Sequence, residues 1–121
     1  MKQVLVVDDS GVIRKVARRI LEGLKFQTAE AEDGQKGLDA CSFLMPDAVI
    51  VDWNMPQVDG FEFVRELRRM PGGGRPKILF CLSESDVGQI ARAMHLGADD
   101  YIMKPFDREV VLEKMQAIGI V

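Results

Sequence analysis

At 121 residues the chain suits one domain with its own core, and its apolar fraction of 47% and charged fraction of 29% are ordinary for a globular protein. A formal net charge of −3 gives no electrostatic footprint for nucleic acid or anionic membrane. Cys41 and Cys81 are too few for a disulfide framework, and no apolar run approaches the roughly 18 residues of a membrane span.

The N-terminus carries a single Lys2 and then a short apolar run, which is not a secretory leader. A cytoplasmic protein with both cysteines reduced is expected. Val4-Leu5-Val6-Val7 is a β-branched run stopped by Asp8-Asp9, the pattern of a strand buried on both faces. Ser10 is placed to cap a first helix, along which Val12, Ile13, Val16, Ala17, Ile20, Leu21 and Leu24 recur at helical spacing. Arg14, Lys15, Arg18 and Arg19 lie opposite that stripe, as a solvated basic face. Residues 26–31 form a weaker strand, and a short helix starts at Asp33 or Gly34 and runs to about Phe43. Ala48-Val49-Ile50-Val51 is a central strand ending at Asp52, followed by a turn-forming loop through Pro56 to Gly60.

Phe61, Phe63, Val64, Leu67 and Met70 mark a third helix, which the run from Pro71 to Pro76 breaks as a flexible surface loop. Residues 78–82 form a fourth strand. Val87, Ile90, Ala91, Met94 and Leu96 belong to a fourth helix ended by Gly97. Tyr101-Ile102-Met103 is a short fifth strand, and residues 110–118 carry a final helix. Alternating units with nearly continuous apolar strands imply an α/β fold, a doubly wound five-stranded parallel sheet with five helices. One domain over residues 1–121 is expected, with no room for an output domain after the fifth helix.

In such a sheet, functional groups gather beyond the carboxyl ends of the strands at the topological switch point. Asp8 and Asp9 follow the first strand, Asp52 the third, and Lys104 the fifth. Clustered carboxylates repel, so a cation is needed to hold them charged together. Oxygen ligands favour Mg2+, with Mn2+ as a substitute, and Mg2+ is commonly completed by phosphate oxygens. Lys104 adds fixed positive charge for a transferring phosphoryl group, and aspartate is an established nucleophile towards phosphorus. One such aspartate alone would more often cap a helix or start a turn. The four together point to chemistry.

Val6-Val7-Asp8-Asp9-Ser10, Glu32-Asp33-Gly34, Asp52-Trp53-Asn54-Met55-Pro56, Asp59-Gly60, Gly97-Ala98-Asp99-Asp100-Tyr101 and Lys104-Pro105-Phe106 resemble the receiver domains of two-component response regulators. The resemblance covers essentially the whole chain and is of the CheY-like, single-domain kind. It implies a flavodoxin/CheY-like strand order of 2-1-3-4-5. Asp52 would be the phosphoacceptor, and Asp8 and Asp9 the acidic pair that organises Mg2+. Asn54 would ligate the ion through its backbone carbonyl, while its side chain governs the approach of water. Lys104 would pair with the phosphoryl oxygens, ahead of a cis bond to Pro105. The donor would be a sensor histidine kinase or a histidine phosphotransfer protein, docking on the first helix. The readout would be a downstream protein binding the face of helix 4, strand 5 and helix 5, in a phosphorelay that includes chemotaxis among its outputs. The chain would be no enzyme in the ordinary sense, but would assist its own phosphorylation and dephosphorylation.

One position departs from that pattern. The family places Thr or Ser at the end of the fourth strand, where a gapless count from Asp52 or Lys104 reaches Leu82. Ser83 is next, and a one-residue slip would normally turn its side chain to the other face. In the same register Glu84 falls near the approach path of hydrolytic water. Tyr101 matches an aromatic switch, or is simply a half-buried strand aromatic with its hydroxyl in water. His95 and Trp53 are read as surface and site-mouth residues. Two rival functions remain at this level. One is a phosphorylation-independent adaptor, motivated by Leu82. The other is a phosphatase, disfavoured because Asn54 stands where an acid is needed.

Overall fold

The computed structural model describes residues 1–121, apart from the side chains of Glu84 and Ser85. The elements are β1 (Gln3–Val7), α1 (Gly11–Gly23), β2 (Gln27–Ala31), α2 (Gly34–Phe43), β3 (Ala48–Asp52), α3 (Gly60–Arg69), β4 (Lys77–Ser83), α4 (Ile90–His95), β5 (Asp100–Lys104) and α5 (Arg108–Ala117). A 3-10 segment, Glu84–Gln89, joins β4 to α4. All five strands are parallel, in the order β2-β1-β3-β4-β5.

The strand pattern follows from burial. All five residues of β3 are buried, and β1 and β4 are buried along nearly their whole length. β2, an edge strand, buries only Ala31 fully, which is why its apolar signal was weak. Side chains alternate between two cores, one per face. Leu5, Val7, Val49, Val51, Ile78 and Phe80 pack with Cys41 of α2, with Phe61, Phe63, Val64 and Leu67 of α3, and with Ala93 of α4. Val4, Val6, Ile50, Leu79, Cys81 and Ile102 pack with Ala17 and Leu21 of α1 and with Val111 and Met115 of α5. The chain leaves β1 to build β2 on one side, then returns to build β3 on the other. The carboxyl ends of β1 and β3 therefore lie side by side where the winding reverses.

Four helices open on a side-chain cap. Ser10, Asp33, Asp59 and Asp107 each accept a hydrogen bond from the backbone N–H three residues on. Several expectations need correction. Val12 and Val16 are 72% and 40% exposed, so the buried stripe of α1 is narrower than its apolar pattern. Arg14 and Arg18 are not merely solvated, because both pair with Glu30 across on β2. The fourth helix starts later than expected: Val87 lies in the 3-10 segment and, like Met94, is exposed. The loop from Pro71 to Pro76 is held rather than loose, since Arg68 Nη1 donates to the carbonyls of Gly73 and Pro76.

Candidate functional site

β1 and β3 end in register, with Val7 paired to Val51, so the next residue of each strand, Asp8 or Asp52, emerges at the same edge. Asp8 and Asp52 are buried, at 2% and 7% exposure, while Asp9 is exposed. Each of the three offers a carboxylate oxygen, and these oxygens all lie within 4.8 Å of one another. Lys104, ending β5, reaches in from the far side of β4. Its Nζ is 2.9 Å from Asp8 Oδ2 and 3.4 Å from Asp52 Oδ1. The four residues singled out from sequence thus meet in one place.

The backbone makes the cluster firm. Asp8 Oδ1 accepts the Ser10 N–H at 2.9 Å, and Arg14 Nη1 donates to the Asp8 carbonyl at 2.8 Å. Gly60 closes the loop after β3 by donating its N–H to the Trp53 carbonyl at 2.9 Å. A Cβ at Gly60 would stand 2.5 Å from the Asp52 carbonyl oxygen, so only glycine lets α3 begin this close to the acceptor strand. Asn54 lies exposed in that loop, two residues past Asp52. The Lys104-Pro105 peptide is cis, as expected.

Charge at the site is out of balance. Burial pushes the Asp52 carboxyl up to about 6, and the neighbouring Asp8 charge adds to the rise, while Lys104 opposes it. For Lys104, burial works to lower the pKa, but the hydrogen bond to Asp8 and the surrounding negative charge outweigh it and the value is raised. One lysine faces three carboxylates, and the deficit is one that a divalent cation would fill. An all-oxygen donor set with one exposed member fits Mg2+, which favours few carboxylates and retains water. Cys81 is the register partner of Asp52, but neither thiol ionises near neutral pH. Cys41 and Cys81 are free and buried, and burial pushes them up to about 11 and about 12.

Strand alternation resolves where the end of β4 points. Phe80 belongs to the core of α3 and α4, and Cys81 to the core of α1 and α5. Leu82, fully buried, therefore returns to the Phe80 side, whereas Ser83 shares the face of Cys81. By the same alternation Asp52 follows Ile50 and Lys104 follows Ile102 onto that face. Ser83 also pairs with Lys104 in register. On this alternation Ser83 shares a face with Asp52 and Lys104. Its hydroxyl donates to Asp86 Oδ2 at 2.5 Å.

Two residues at the site mouth escaped the sequence reading. Asp86 is one, although Ser83-Glu84-Ser85-Asp86 has the spacing of a capping box, a signal that was there to be read. Arg92 is the other, its guanidinium 3.9 Å above the Phe61 ring. Phe61 stacks on Phe80 and tilts against Trp53, which is half-buried beside Asp52. Tyr101 is half-buried on β5, with Lys114 Nζ 4.2 Å over its ring. His95 is exposed. The side chain of Glu84 lies outside the described residues.

Comparison with known proteins agrees with this arrangement. The sequence profile of the response regulator receiver domain matches residues 4–116. The response regulator MprA of Mycolicibacterium vanbaalenii is 37% identical over 116 residues, covering 96% of this chain and 49% of that protein. MprA of Mycobacterium avium is 36% identical, with the same 96% of this chain and 50% of that protein covered. The chain thus spans about half the length of these curated relatives. Among solved structures, the chemotaxis protein CheY4 of Vibrio cholerae superposes with a TM-score of 0.91 at 31% identity, over 98% of both chains. With the strand order, the switch-point carboxylates and the matched profile in agreement, the chain belongs to the receiver domain family of two-component response regulators.

Proposed function

We propose that the chain is a phosphoryl-accepting switch in which Asp52 takes its phosphoryl group from the phosphohistidine of a sensor kinase or phosphotransfer protein. The observation that carries this reading is the meeting of Asp8, Asp9 and Asp52 within 4.8 Å, with Lys104 Nζ 3.4 Å from the acceptor oxygen. Asp8, Asp9, Asp52 and the Asn54 backbone carbonyl would hold Mg2+. When bound, that ion supplies positive charge that neutralises the oxygens of the transferring group.

The rest is the work of the chain itself. With its carboxyl at about 6, Asp52 is mostly ionised at neutral pH and can act as nucleophile. One Asp52 oxygen bonds to phosphorus as the phosphorus–nitrogen bond of the donor imidazole breaks, and the departing nitrogen keeps the electron pair. Lys104 then exchanges part of its attraction to Asp52 for the new phosphoryl oxygens. The donor protein is expected on α1, where Val12 and Val16 stand exposed beside Lys15 and Arg19 next to the site. The added charge biases a two-state equilibrium that a downstream protein reads on the face formed by α4, β5 and α5, with Tyr101 at its centre. The likeness to the chemotaxis protein CheY4 supports a chemotactic role.

Incubation with Mg2+ and acetyl phosphate, followed by intact-mass measurement, tests the reading. Wild type should gain the mass of one phosphoryl group and Asp52→Asn should gain none. A gain that persists in Asp52→Asn would overturn the assignment. A phosphorylation-independent adaptor is the alternative, favoured by the complete burial of Leu82 where the family carries a hydroxyl. Equal partner affinity with and without a phosphoryl mimic would establish it.

A further inference from the structure

The end of β4 holds an arrangement that the acceptor chemistry does not use. By strand alternation from Cys81, Ser83 takes the Asp52 face of the sheet, and it is in register with Lys104. Its hydroxyl is given to Asp86 Oδ2 at 2.5 Å, and the Ser83 N–H donates to the same oxygen at 3.1 Å. Asp86 is held below the usual carboxylate range by the Ser83 hydroxyl first, then by the side chain of Trp53. Ser83, Asp86 and Trp53 therefore link the end of β4 to the residue directly after Asp52.

We propose that Asp86 is an off-state latch on Ser83, holding the hydroxyl that a phosphoryl group on Asp52 must claim. This rests on Asp52 being the acceptor. A serine hydroxyl has one proton and points it at one oxygen at a time, so the Asp86 carboxylate and a phosphoryl oxygen are competing acceptors. Both are anionic, which makes the exchange a near-balanced one decided by position and charge. Leu82 cannot join the competition, having no hydroxyl. When the phosphoryl group wins, Asp86 loses the hydroxyl bond, and the 3-10 segment Glu84–Gln89 is held less firmly to Ser83, with the Ser83 N–H still donating to Asp86. Occupancy of Asp52 is thereby passed to α4. Asp86 acts as a positioning residue, setting how much of the binding energy of the phosphoryl group is spent on release.

The test is titration of the full chain with beryllofluoride in excess Mg2+, read by emission of Trp53, the single tryptophan. Asp86→Ala should lower the midpoint about five- to tenfold, the net scale of one hydrogen bond. Ser83→Ala should raise it, and the double variant should match Ser83→Ala alone. Asp86→Asn, which keeps an acceptor oxygen but not the charge, should fall between wild type and Asp86→Ala, and it serves if the alanine variant fails to fold. An Asp86 variant that titrates like wild type, or a shift that survives undiminished without the Ser83 hydroxyl, would overturn the latch. Failure of wild type to bind beryllofluoride or to take a phosphoryl group would instead remove the acceptor reading beneath it.

Discussion

The two edges of the sheet treat aspartate in opposite ways. At the amino edge, Asp47 Oδ2 accepts the Gln3 N–H at 2.8 Å, and Asp99 Oδ2 accepts the Ile78 N–H at 2.7 Å with Arg68 and Lys77 close by. Each of those acids has donors of its own and ties neighbouring strands together. At the carboxyl edge, Asp8, Asp9 and Asp52 crowd one another and share Lys104. Paired acids hold a fold together, whereas acids left in surplus against their own donors hold chemistry in readiness.

Breaking an amino-edge acid should have the larger cost. Asp99→Ala leaves the Ile78 N–H without its acceptor and removes the ion pair with Arg68, and about 2–3 kcal/mol of stability should be lost in denaturant unfolding. Phosphoryl acceptance at Asp52 should be unchanged in that variant.

The carboxyl-edge acid should respond with the opposite sign. The folded-state pKa of Asp52 is about 6, above the value of roughly 4 in an unfolded chain. Between those two values the folded state binds more protons than the unfolded one, so the contribution of this group to stability falls as pH rises through that window. In metal-free buffer near pH 8, Asp52→Asn should therefore be more stable than wild type by about 2–3 kcal/mol, and near pH 4 the two should coincide. A destabilised Asp52→Asn at pH 8 would erase the distinction between the edges.

How much of this could be read in the sequence follows the same division. β1, β3 and β4 were legible because burial on both faces leaves unbroken apolar runs, and the functional acids were legible because they stop those runs. The limits of the helices were less so. Periodicity marks Val12 and Val16 as apolar but cannot show that no partner element covers them. Val87 fits a helical pattern although the chain first makes a 3-10 segment there. The Leu82 and Ser83 question needed coordinates, since a gapless count assigns a position without showing which face the side chain takes at the strand end. Asp86 was within reach of the sequence, since Ser83 to Asp86 has the spacing of a capping box.

If the surplus of negative charge at the carboxyl edge is the seat of a divalent cation, thermal unfolding must respond to Mg2+. Wild type and Asp99→Ala should both gain about 1.4 kcal/mol at ten times the dissociation constant, while Asp8→Asn combined with Asp52→Asn should gain nothing. A wild type indifferent to Mg2+, or a double variant stabilised as strongly as wild type, would contradict the account.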